Sequence, residues 1–101
     1  MKFGLSEKDF NTLDQHLIQP LKYFGARVFV FGSRVRGKHH PFSDIDILYC
    51  EKSGHPIPLG KIAVLKEGLE ESNLPIKVDL VNEKDLAQSY RSNIEKEKVE
   101  I

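Results

Sequence analysis

Phe31-Gly-Ser-Arg-Val-Arg-Gly-Lys-His-His-Pro-Phe-Ser-Asp-Ile-Asp-Ile-Leu48 is the stretch whose reading decides the fold. It follows a β-branched and aromatic run, Arg27-Val-Phe-Val-Phe31, which reads as a central strand buried on both faces. Gly32 then breaks the strand, and Ser33 to Gly37 reads as a tight turn into a short helix. Residues 38–43 form a loop, and Asp44 to Cys50 makes a second strand. Side chains alternate across a strand, so Asp44 and Asp46 share one face while Ile45 and Ile47 share the other, where helices would pack.

Working outward, Ser6 is placed to cap a first helix with Asp9 in the capping-box position. Phe10, Leu13, Leu17, Leu21 and Phe24 follow as one apolar stripe, and Pro20 should kink or split that helix near Ile18. A second helix is expected over 59–72, stopped by Asn73 and Pro75. Ile76-Lys-Val-Asp-Leu-Val81 reads as a third strand, with Asp79 out of phase with the apolar Val78 and Leu80. Asn82 is expected to cap a third helix with Asp85 at its third position and Leu86, Tyr90 and Ile94 on its apolar face. The charge-rich end, 95–101, is left without an element and reads as a solvated face or a partner surface. The order α-β-α-β-α-β-α predicts an α/β (α+β) fold, a small mixed sheet flanked by helices. The dozen residues between the first two strands leave their relative direction open.

The bulk numbers bound the function. A chain of 101 residues with 40% apolar and 30% charged residues is expected to make a single domain spanning 1–101. Fifteen basic residues balance fifteen acidic ones, so no strong general attraction to nucleic acid or to anionic membrane is expected. The lone Cys50 cannot form an intrachain disulfide and reads as a small packing residue. No apolar run has the length of a signal peptide or a membrane span, so the expected location is cytoplasmic.

The chemistry is carried by carboxylates. If the second and third strands are neighbours, Asp44, Asp46 and Asp79 converge on one patch. Two carboxylates about 4 Å apart repel by roughly 4 kcal/mol at an effective dielectric near 20, a penalty that a hard divalent cation removes. Taken alone, Asp-Ile-Asp reads as the exposed polar side of a half-solvated strand. The glycine turn upstream gives the second half of the pattern: Gly32 allows positive φ and close backbone approach, while Ser33 and the following N–H groups at a helix start favour phosphate. Arg36 adds a phosphate contact, Arg34 is expected to face solvent or a partner, and Ser43 to steady the loop or touch the nucleotide. His39 and His40 have no further ligand at zinc spacing and read as solvent or substrate contacts.

Gly32-Ser33, ten residues and then Asp44-Ile45-Asp46 resemble the signature of the nucleotidyltransferase superfamily that includes DNA polymerase β, and the fuller string 31–48 resembles the minimal nucleotidyltransferases. The third strand, with Asp79, and the ending 94–101 extend the resemblance over nearly the whole chain. The resemblance implies a polymerase β palm-like fold and a metal-dependent transferase. Asp44, Asp46 and Asp79 would be the catalytic and metal-binding residues for two Mg²⁺ ions, with Mn²⁺ as a substitute. Gly32, Ser33, Arg36 and Ser43 would bind the nucleoside triphosphate, with ATP as donor. It further implies pairing with a helical HEPN-type partner, the chain being the antitoxin that moves AMP to a tyrosine of that toxin. Transfer to a small molecule or an RNA end, or neutralisation by occlusion without catalysis, are the alternatives.

Overall fold

The computed structural model describes residues 2–101, and the run 27–31 does form its central strand. β1 (Arg27–Phe31) pairs antiparallel with β2 (Ile45–Cys50) on one side and with β4 (Val99–Glu100) on the other. β3 (Val78–Asn82) pairs parallel with β2, giving a mixed sheet of order β3-β2-β1-β4. The lengths of the connections explain these directions. Between β1 and β2 lies only α3 (Ser33–Arg36), about 6 Å long, too short to carry the chain back along the strand, so it turns and returns antiparallel. Between β2 and β3 lies α4 (Leu59–Glu70), about 18 Å long, which spans the strands and delivers β3 parallel to β2.

Both faces of β1 are covered, as expected. Val28 and Val30 join Ile45, Ile47 and Tyr49 in a core roofed by Leu13, Leu17, Ile18 and Leu21 of the first helical segment and by Ile62 and Leu69 of α4. On the opposite face Phe29 and Leu48 pack under Ile94 of α5 (Gln88–Glu97), with Phe31, Val81 and Leu86 around them. Cys50 packs there too, and burial pushes its thiol up to about 11, as suits an inert packing residue.

Pro20 acts through a widened turn. α1 (Glu7–Leu13), capped by Ser6 accepting the Asp9 N–H, runs into a π-helical turn at Asp14–Ile18 and then α2 (Gln19–Tyr23). A proline cannot donate to the carbonyl four residues back, and the extra residue of the π turn absorbs that mismatch. It also turns both Leu17 and Ile18 into the core. Phe24, the last member of the expected stripe, is partly exposed and stacks on Tyr23 with ring centroids 5.8 Å apart.

The C-terminal third departs from the sequence expectation. Asn82 does cap, accepting the Lys84 N–H at 3.1 Å, but what it caps is a single 3-10 turn, Glu83–Asp85. Leu86 and Ala87 are extended and α5 starts only after them. Of the expected apolar face Ile94 is buried, Leu86 packs from outside the helix and Tyr90 is exposed. The tail is a strand: β4 adds to the free edge of β1, and Ile101 N–H donates to Val28 C=O at 3.0 Å. Among the described residues no helix is long and apolar enough to cross a membrane.

Candidate active site

The half-solvated end of the sheet carries the acids. Ile45, Ile47 and Tyr49 point into the core, so Asp46 points to the opposite face, and Asp44 stands one residue ahead of β2 in the same phase. In β3, Val78 and Leu80 face the core and Asp79 the other side. The parallel register pairs Asp46 directly with Asp79, so the condition set by the sequence, that these strands be neighbours, holds. Asp44 and Asp79 are exposed and Asp46 is half-buried. Burial raises the Asp46 carboxyl above its ordinary range, and the charges of Asp79, Asp44 and Glu97 push it further against the pull of Arg36. These acids are therefore close enough to feel one another. Their oxygens are hard donors suited to Mg²⁺, which is held by one or two carboxylates plus substrate oxygens rather than by a full protein cage. Among the described residues no three acidic, imidazole or thiol side chains are grouped closely enough to hold a metal ion, so the structure sets Asp46 beside Asp79 without closing Asp44, Asp46 and Asp79 into one metal site.

Gly32 fits the turn for two reasons. Its φ of 83° and ψ of −157° belong to a region that only glycine enters freely. A Cβ at this position would also lie 2.1 Å from Asp46 Oδ2. The close approach that the glycine permits is thus that of the Asp46 carboxylate, one residue beyond the Phe31–Asp46 pair of the β1–β2 ladder. Gly32→Ala should lower stability by about 2–4 kcal/mol, from backbone strain plus displacement of Asp46, read as a drop in the urea midpoint at unchanged slope. A loss below 1 kcal/mol would show that the turn relaxes freely.

Of the remaining candidates, Ser33 opens α3 and is half-buried. Arg36 lies exposed at the end of α3 and pairs with Glu97 at 2.8 Å. Ser43 serves the loop: its Oγ accepts the His40 N–H at 3.0 Å and its carbonyl accepts from Arg34. Arg34 is the correction. It was expected to face solvent or a partner, and it is 3% exposed, with its guanidinium bonded to the carbonyls of Ser43, Pro41 and Phe3. His39 is half-buried rather than free, its ring packed over Gly4 and its Nδ1 without a partner among the described residues. Sequence reasoning missed Glu97, which accepts the Gly32 N–H at 3.0 Å; nothing in the charged tail marked it out from its neighbours.

A comparison with protein families matches the nucleotidyltransferase domain over residues 13–101. The chain belongs to the nucleotidyltransferase family. A solved structure described as that of a candidate minimal nucleotidyltransferase superposes with a TM-score of 0.70 at 30% identity, covering 96% of this chain and 97% of the other. The nucleotidyltransferase fold expected from the sequence is therefore the fold of this chain. A curated Haemophilus influenzae protein named "Probable protein adenylyltransferase MntA" is 38% identical over 69 residues, 68% of this chain. The match spans 59% of that relative's length.

Proposed function

We propose that the whole chain acts as one nucleotidyltransferase domain that moves a nucleoside monophosphate, AMP from ATP, to a hydroxyl of a partner protein. The observation that carries this reading is the in-register pairing of Asp46 with Asp79 beside the Gly32 turn. It supports the reading because an acidic, half-solvated patch lies beside a turn that carries N–H and guanidinium donors. In this reading Asp44, Asp46 and Asp79 hold divalent cations. When bound, those ions neutralise charge on the transferring phosphate and lower the pKa of the attacking hydroxyl. The residues themselves do the positioning. In this reading the Ser33 and Arg34 N–H groups at the start of α3, ahead of the Val35 and Arg36 N–H groups that bond Gly32 C=O, hold the β- and γ-phosphates together with the Ser33 hydroxyl and Arg36. Ser43 fixes the loop that leads into Asp44. Asp79, exposed on the outer strand, faces the acceptor and assists removal of its proton. The acceptor oxygen forms a bond to the α-phosphorus, the bond from that phosphorus to the bridging oxygen breaks, and pyrophosphate leaves with the electron pair.

The acceptor is read as a tyrosine of a helical HEPN-type toxin, which makes the chain a cytoplasmic antitoxin. The similarity to a relative named as a protein adenylyltransferase supports the protein acceptor over an RNA end or a metabolite. Incubation of the purified chain with a co-expressed partner, Mg²⁺ and ATP labelled at either the α- or the γ-phosphate tests it. Label should enter the partner from the α-position only, and addition of EDTA should stop it. Label appearing on RNA or a small molecule instead would move the acceptor class. Neutralisation of the toxin with no label anywhere would replace catalysis by occlusion.

A further inference from the structure

The glycine turn already holds an anion, and that anion is part of the chain. Glu97 is the last residue of α5. One of its carboxylate oxygens accepts the Gly32 N–H at 3.0 Å and the other accepts from Arg36 Nη1 at 2.8 Å. A backbone N–H beside a guanidinium is a donor pair that fits two oxygens of any oxyanion, carboxylate or phosphate. The position is one that the helix itself disfavours, because a negative charge at a helix C-terminus opposes the macrodipole. Its partners in the turn, and not α5, account for the carboxylate being there.

Resting on the nucleotide-transfer reading above, we propose that Glu97 is a built-in stand-in for a nucleotide phosphate, occupying Gly32 and Arg36 in the free protein and displaced when the triphosphate enters. Its surroundings allow the exchange. Two and three residues further on, Val99 and Glu100 pair with Val30 and Phe29, so the backbone behind Glu97 is anchored to β1. The side chain is 20% exposed and has three rotatable bonds, so it leaves by a rotamer change with no backbone movement. While it stays, it adds a fourth negative charge on the same Gly32 turn against which the Asp46 carboxylate packs. A triphosphate arriving beside it meets repulsion as well as occupied donors. Glu97 therefore sets nucleotide affinity by competition, while keeping Arg36 and the Gly32 N–H paired when no nucleotide is present.

Calorimetric titration with a non-hydrolysable ATP analogue in Mg²⁺ buffer tests this on the intact chain. Glu97→Gln keeps the shape and removes the charge, and Glu97→Ala empties the donors altogether. Both should bind the analogue more tightly than the wild type, by about tenfold, the effect of removing one like charge at close range. Thermal melts identify which variants are folded, and either folded variant suffices for the reading. Binding by the wild type with equal or weaker binding by a folded Glu97 variant overturns the competition and leaves the transfer reading standing. No binding by the wild type or by either variant overturns the nucleotide reading and this inference with it.

Discussion

Asparagine at position 46 should abolish nucleotidyl transfer while leaving the metal-free protein more stable than the wild type. Asp46 is the half-buried member of the acidic group and is paired in register with Asp79. Asparagine has the same shape and one oxygen fewer to offer a cation. Cation-assisted stabilisation of a transferring phosphoryl group is worth several kcal/mol, so the expected loss is on the order of a thousandfold or more in kcat. The stability effect runs the other way because the fold disfavours the Asp46 charge, through burial first and then Asp79 and Asp44. A carboxyl whose folded pKa is raised binds its proton more tightly folded than unfolded. Its stabilising contribution is present below the unfolded value and is lost as the pH rises through the raised one. The melting temperature of Asp46→Asn in EDTA should therefore exceed that of the wild type most clearly at neutral pH, and the gap should close in acid. Adding Mg²⁺ should raise the wild-type melting temperature by mass action and leave the variant where it was. A variant that keeps a tenth of the activity, or that melts below the wild type at neutral pH in EDTA, would remove Asp46 from the role given to it.

The parts of this site that the sequence made legible are those fixed by a local period. Alternation along residues 44–48 put two aspartates on one face because the other face, Ile45 and Ile47, had to be core. The same logic set Asp79 against Val78 and Leu80. The register that joins Asp46 to Asp79 was not legible, since it depends on how long helix α4 is and where it docks. Nor was the antiparallel return of β2, which follows from α3 being one turn long. The two arginines show the limit most clearly. Arg34 and Arg36 are two residues apart on a helix and so point to nearly opposite sides. One of them had to face the protein, but composition cannot say which, and the carbonyls that decide it come from residues 3, 41 and 43. β4 was hidden for a different reason. It is two residues long and is held by main-chain pairing to β1, too short to show a period. Glu97 went unseen with it, because only the docking of that strand brings its carboxylate to Gly32.

Arg34→Met should cost more stability than any surface change near the site and should cost activity as well. The guanidinium is buried, and burial lowers its pKa from the usual arginine value. It forks onto three backbone carbonyls: Nε and Nη2 donate to Ser43 C=O at 3.1 and 2.8 Å, Nη2 also to Pro41 C=O at 3.2 Å, and Nη1 to Phe3 C=O at 2.8 Å. Methionine fills most of the volume and donates nothing. Losing charged-donor hydrogen bonds and stranding the carbonyls they satisfied costs about 1–3 kcal/mol per group, and some of these carbonyls will regain water, so the expected total is about 3–5 kcal/mol. Against the 5–15 kcal/mol typical of a small domain, that is a large fraction. Arg34→Lys should fall between the two, because an ammonium keeps the charge but cannot reach three carbonyls with a planar fork. The link to function runs through the loop. The carbonyl that takes two of these bonds belongs to Ser43, the residue before Asp44, so a loop released from Arg34 no longer fixes where Asp44 stands. Urea denaturation gives the stability loss, and kcat measured well below the unfolding midpoint gives the second effect. Should Arg34→Met lose less than 1 kcal/mol and keep wild-type kcat, the guanidinium is a passive filler and Asp44 is positioned by β2 alone.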